Sequence, residues 1–128
     1  MSCARSLAGD PGVRVVGLAR TPFELARALL GREPRVLVLS ARIGRRPLAS
    51  LLDALSLVGV RSRILLIGGR TSRTALLDAL ARGAHGYLRT RAVDAWLARA
   101  VHAVDAGETW CSRRLGAALL GRLFPDPS

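Results

Sequence analysis

The sequence predicts an α/β domain, a parallel sheet whose strands alternate with covering helices. Three observations carry this reading. Two runs of consecutive apolar residues, Val36-Leu37-Val38-Leu39 and Ile64-Leu65-Leu66-Ile67, stand between longer stretches with apolar residues at helical spacing. Each run is continuous rather than alternating, which fits strands covered on both faces. The stretch Ala81-Arg82-Gly83-Ala84-His85-Gly86-Tyr87-Leu88 ends a helix at a glycine and starts a short strand bearing an aromatic. Strands alternating with helices imply parallel pairing through right-handed crossovers.

The elements follow in order. After the turn Gly9-Asp10-Pro11-Gly12, residues 13–18 read as a strand. Thr21 and Pro22 open a helix as cap and first helical residue. Phe23, Ala26, Leu29 and Leu30 form its expected apolar stripe, and Gly31 stops it. The strand at 36–39 leads through a loop at 40–47 into a helix at 48–58, with Leu48, Leu51, Leu52, Leu55 and Val58 on one side. The strand at 64–67 breaks at Gly68-Gly69, and Thr71 or Ser72 caps a helix carrying Ala75, Leu76, Ala79 and Leu80. A strand at 84–88 precedes a longer helix, lined by Val93, Trp96, Leu97, Ala100, Val101 and Val104, that ends near Gly107. A last helix spans 113–123, with Trp110 packing it against the domain. The division expected is 1–111 as the α/β domain and 112–128 as a C-terminal helix and linker remnant.

A chain of 128 residues, half of them hydrophobic, is one domain that buries about two-thirds of its unfolded surface. It has no run of about twenty apolar residues to span a membrane, and its start lacks the apolar core of a secretory signal. Cys3 and Cys111 are isolated, which fits a reduced cytoplasmic protein with plain thiols. The net charge is +11, and all 20 cationic residues are arginine. Lysine chemistry is therefore excluded. The charge points to an anionic partner, although scattered arginines also fit a solvated basic surface. His85 and His102 lack a nearby acid and nucleophile and read as structural or exposed.

Residues 13–17, 34–39 and 63–67, the motif Gly83-Ala84-His85-Gly86-Tyr87-Leu88, and the helix end Ala106-Gly107-Glu108 together resemble the receiver domain of two-component response regulators of the NarL/FixJ class. The resemblance runs from about Leu7 to about Leu123. It implies a flavodoxin-like, receiver-type sheet in the order 2-1-3-4-5, with the first strand missing here because Met1 falls within what would be the first helix. It also implies a phosphate-accepting aspartate at Ser40, a hydroxyl at Gly68, a cationic lysine at Thr90 and a switch aromatic, kept as Tyr87. The acidic pair that holds magnesium would lie just after the missing strand.

The chemistry of these replacements agrees. A serine without a base does not stand in for a carboxylate nucleophile, and magnesium wants carboxylates. A nearby arginine would repel a divalent ion by roughly 2 kcal/mol at 4 Å in bulk water. No metal or cofactor is expected, and no nucleophile–base pair for an enzyme. Two functions remain. One is a phosphorylation-independent pseudo-receiver, a protein-interaction or dimerisation module in signalling and transcription control. Its contact face, implied by the resemblance, holds Ala75, Ala79, Tyr87, Val93 and Trp96. The alternative is an anion- or nucleic-acid-binding domain using the arginine rim at the strand carboxyl ends: Arg42, Arg45, Arg46, Arg70, Arg73, Arg89 and Arg91. Sequence-specific DNA reading is not expected from this chain alone.

The missing strand leaves its two neighbours without a ladder partner. The strand at 13–18 could close beside that at 36–39, a second chain could fill the gap, or the polypeptide could start upstream. The first is expected for the chain as given.

Overall fold

The structure, a computed structural model, describes residues 3–41, 48–69 and 72–123. Three parallel strands, β1 (Val36–Ser40), β2 (Arg63–Gly68) and β3 (Gly86–Arg89), form a sheet in the order β1-β2-β3. The helices are α1 (Cys3–Leu7), α2 (Pro22–Gly31), α3 (Leu48–Leu57), α4 (Arg73–Ala81), α5 (Val93–Asp105) and α6 (Arg113–Leu123), with a 3-10 turn at Thr90–Ala92.

Successive strand residues point to opposite faces, and this divides the core in two. Leu39, Ile64 and Leu66 face a layer of α2, α3, α4 and α6, packed through Leu25, Leu52, Leu55, Leu76, Leu80 and Leu115. Leu65, Ile67 and Leu88 face α1 and α5, through Leu7, Val93, Leu97, Ala100, Val101 and Val104. The continuous apolar runs are thus two-faced strands, as expected. Because Leu115 is buried in the first layer, α6 shares the core of the residues before it.

Local chemistry sets the helix ends. Thr21 Oγ1 accepts from the Glu24 amide at 3.1 Å, while the Glu24 carboxylate accepts from the Arg20 amide at 2.6 Å, a reciprocal cap. Ser72 and Ser112 cap α4 and α6 through the amides of Ala75 and Leu115. Gly83 and Gly107 turn the chain after α4 and α5 at φ +111° and +93°, angles costly for any residue with a Cβ.

Four sequence expectations are corrected. Residues 13–18 adopt no strand. They do not close onto β1, and a groove of about 1150 Å³ separates the two. The physical reason is the missing ladder: Val15, Val16 and Leu18 stay exposed, and Val36, Leu37 and Val38 are only half-buried. On α2 the buried residue is Leu25, while Phe23 and Leu30 are exposed. Apolar residues surround that helix, so its periodicity did not fix which side faces in. Helix α3 stops at Leu57, leaving Val58 outside. Trp96 lies on the outer flank of α5, 43% exposed, because Val93, Leu97 and Val104 already fill the inward stripe.

The candidate site at the strand carboxyl ends

The strands end together at one mouth of the groove, where Ser40, Gly68, Gly69 and Thr90 line it beside Arg20. In register Ser40 stands opposite Ile67 and Gly68 opposite Arg89. The structure therefore brings together Ser40, Gly68 and Thr90, which the resemblance had grouped. The carboxylates that line the groove, Glu33 and Asp105, belong to the other end, since Glu33 precedes β1 and Asp105 closes α5 against Arg35 at 2.9 Å. Among the described residues no group of three or more His, Cys, Asp or Glu converges as metal ligands would.

Tyr87 is half-buried on β3 and donates its hydroxyl to the Gly68 carbonyl at 2.7 Å. The bond spans the last residue of β2.

Of the rim arginines, Arg42, Arg45, Arg46 and Arg70 lie outside the described residues. Arg73, Arg89 and Arg91 are exposed and line a second cavity of about 530 Å³ with Arg114. Sequence reading missed Arg114. Its place depends on how α6 crosses the domain, and no local pattern encodes that.

The expected contact face is split. Ala79 and Val93 are core residues, 1% and 0% exposed, because each occupies the inward stripe of its helix. Ala75 and Trp96 are exposed and Tyr87 is partly so. The outer edge of β3 is occupied by the chain's own Trp110, whose carbonyl accepts from the Tyr87 amide at 2.8 Å and whose amide donates to the His85 carbonyl at 3.1 Å. Trp110 thus packs the terminal segment as expected, 6.2 Å from the Trp96 ring. Helix α6 lies along α4, joined by Arg122 to Asp78 at 3.0 Å, and Asp78 also binds Arg82. The Arg82 guanidinium, then Arg122, hold the Asp78 carboxyl below its ordinary value.

Both histidines have defined roles. His102 Nε2 lies 3.0 Å from Asp10 Oδ2, correcting the expectation that it lacks a nearby acid; the two are 92 positions apart in sequence. The Asp10 carboxyl is held low first by the Gly12 amide and then by His102. His85 Nδ1 accepts from the Ile64 amide at 3.0 Å. Burial, then the Arg63 charge, push its pKa below the ordinary 6.5. Folding therefore favours neutral His85, and its contribution is present above the ordinary value and lost as pH falls through the lower folded-state one. Thermal melts from about pH 7.5 to about pH 5 should lose stability more steeply in the natural chain than in His85→Ala. Equal slopes would remove His85 from the pH response. The Cys3 and Cys111 thiols are raised by burial, away from activation.

No family model matches the chain. It is 34% identical over 117 residues to the DNA-binding transcriptional activator DevR/DosR of Mycobacterium tuberculosis, covering 91% of this chain and 54% of that protein. The chain thus spans about half the length of that curated relative. Among solved structures it superposes on the RcsB response regulator of Salmonella typhimurium with TM-score 0.81 at 17% identity, over 98% of this chain and 64% of that one. The isolated REC domain of RcsB gives 0.78 at 18% identity, over 97% and 88%. A LuxR-family two-component response regulator from Aurantimonas sp. SI85-9A1 gives 0.78 at 22%, over 93% and 85%. Sequence kinship, parallel topology and the retained Gly-Ala-His-Gly-Tyr-Leu strand agree, and the chain is a receiver domain of the NarL/FixJ class of response regulators.

Proposed function

We propose that this receiver works without phosphorylation, as a docking module in a signalling pathway that leads to transcription, and not as an enzyme. The observation that carries the reading is the 2.7 Å hydrogen bond from Tyr87 to the Gly68 carbonyl. Where a receiver of the usual kind offers a hydroxyl to the acyl phosphate, this chain offers a glycine carbonyl already bound by the aromatic. No phosphoryl group is needed to hold that ring. Beside it, Ser40 supplies no carboxylate nucleophile and Thr90 no ammonium.

The partner we propose is a second copy, met through the outer flank of α5. There Trp96 is 43% exposed with the Arg99 guanidinium 5.1 Å above its ring. Exposed tryptophan and arginine are the residues most enriched at the energetic centres of interfaces. The α4 side of the face is less open, since α6 lies against it.

Two measurements test the proposal. Incubation with acetyl phosphate and magnesium should leave the intact mass and the sedimentation coefficient unchanged. A hydroxylamine-sensitive phosphoryl adduct would sink the phosphorylation-independent reading. Sedimentation of the natural chain should show a dimer that Arg99→Glu dissociates; a monomer at all concentrations would remove the proposed partner.

A further inference from the structure

We infer that the open cleft bordered by α4, the end of β3, the 3-10 turn and α6 is a binding site for a small phosphorylated anion. It has a volume of about 530 Å³, within the range of small-molecule sites. Four elements each contribute one arginine to its lining: Arg73 from α4, Arg89 from β3, Arg91 from the 3-10 turn and Arg114 from α6. Among the described residues no aspartate or glutamate lines it.

Convergence gives the cluster its meaning: four guanidiniums from four elements line one cavity. Arg35, Arg82 and Arg122 each reach a carboxylate within 3.0 Å. Among the described residues, none of the four cavity arginines makes an ion pair. A lysine cluster could relieve its repulsion by losing a proton. A guanidinium cannot, since its pKa lies far above any working pH. At low ionic strength counter-charge relieves the repulsion, and the planar forks of arginine match phosphate oxygens in pairs. The cavity floor is apolar, with buried Leu76, Leu88 and Leu115, so a ligand with a less polar portion beside its phosphate is accommodated.

This site is not the mouth where Ser40 sits. The two cavities share Gly69 and Thr90 alone. Because Arg114 belongs to α6 while the other three belong to the body of the domain, an anion bound among them ties α6 down. Such a ligand adds to the hold that buried Leu115 and the Arg122–Asp78 pair already give α6. The inference is independent of the proposed dimer and of the phosphorylation reading, and it stands or falls on different measurements.

Titration of the full chain with pyrophosphate at low ionic strength, followed by calorimetry and by tryptophan fluorescence, tests it. Expected are one saturable site per chain and a fluorescence change, since Trp110 lies two residues before Ser112 on the cavity wall. Arg89→Ala and Arg114→Ala should each weaken binding by about 10-fold to 100-fold, the usual effect of losing a charge-assisted contact. Arg114→Lys should fall between, keeping the charge and losing the fork. Arg27→Ala, on exposed α2 above Phe23, should bind as the natural chain does. All three positions are exposed, and circular dichroism of each variant checks that it folds. Three outcomes overturn the inference: no saturable binding, equal loss in Arg27→Ala and Arg114→Ala, or a short DNA duplex competing equally in the natural chain and in Arg89→Ala. The last would mean a general attraction of the basic surface for polyanions.

Discussion

Replacing Leu66 with alanine is expected to lower the stability of this domain by about 2–5 kcal/mol, the usual cost of deleting a large buried side chain. Leu66 is 0% exposed on the central strand and faces the layer of α3 and α4. It shares that layer with buried Leu52, Leu55, Leu76 and Leu80, so the truncation opens a cavity among them. A domain of this size has roughly 5–15 kcal/mol in hand. This one also leaves one edge of β1 against an open groove, which places it toward the lower end. Leu66→Ala should therefore unfold a measurable fraction near physiological temperature. The internal comparison is Leu57→Ala, the same chemistry on α3 at a position 87% exposed, where the change should stay within about 0.5 kcal/mol. Chemical denaturation of both variants decides it. A cost below about 1 kcal/mol for Leu66→Ala would show that the layer repacks freely, and the account of the core given above would be wrong.

Gly86→Val gives the second large effect, and here two principles predict opposite signs. Strand propensity favours valine over glycine. Packing forbids it: a Cβ at Gly86 would lie 2.9 Å from both the Cβ and the carbonyl oxygen of Trp110, and 3.1 Å from Leu65 Cδ1. The backbone oxygen cannot swing aside cheaply, because it accepts from the Tyr87 amide, and the Trp110 amide is bound to His85 in turn. Packing should win. Overpacking costs about 1–3 kcal/mol, and each of the two Trp110 hydrogen bonds lost adds about 0.5–1.5 kcal/mol. The expected signature is a lower melting temperature together with red-shifted tryptophan emission as Trp110 leaves the edge of β3. A stabilised variant with unchanged emission would mean that Trp110 does not seat against Gly86 as described.

The two effects differ in how far the sequence anticipates them. That Leu66 lies deep in a two-faced strand is legible from the unbroken run Ile64-Leu65-Leu66-Ile67, because a strand needs apolar residues on consecutive positions only when both faces are covered. That Gly86 must stay glycine is not legible in the same way. The contact that forbids a side chain comes from Trp110, brought alongside by the turn after α5.

The candidate site divides along the same line. Ser40, Gly68, Tyr87 and Thr90 were legible through the resemblance to receiver domains, which assigns a role to each of those positions, and Ser40 and Gly68 do close β1 and β2. The arginine cavity was half visible. Arg73, Arg89 and Arg91 follow strands or open a helix, whereas Arg114 joins them only through the crossing of α6 over the domain. Periodicity misplaced Phe23 and Leu30 on α2 and Trp96 on α5, since apolar spacing selects an angular sector of a helix and not which part of it meets a neighbour. The strand expected at 13–18 failed for a cooperative reason. Val13-Arg14-Val15-Val16 has every local preference for extension, but a strand exists through its ladder, and the adjoining place in the sheet is empty groove.

By itself, then, the sequence determined the alternation of strands and helices from residue 36 onward, the two-layered core and the residue types at the strand ends, because these depend on residue type and local order. Tertiary structure alone decided the bond of Tyr87 to Gly68, the seat of Trp110 on β3, the pairing of His102 with Asp10 and the gathering of the arginines under α6. Each of these joins residues far apart in the chain, and contacts of that kind follow from how layers settle against one another, which no local pattern records.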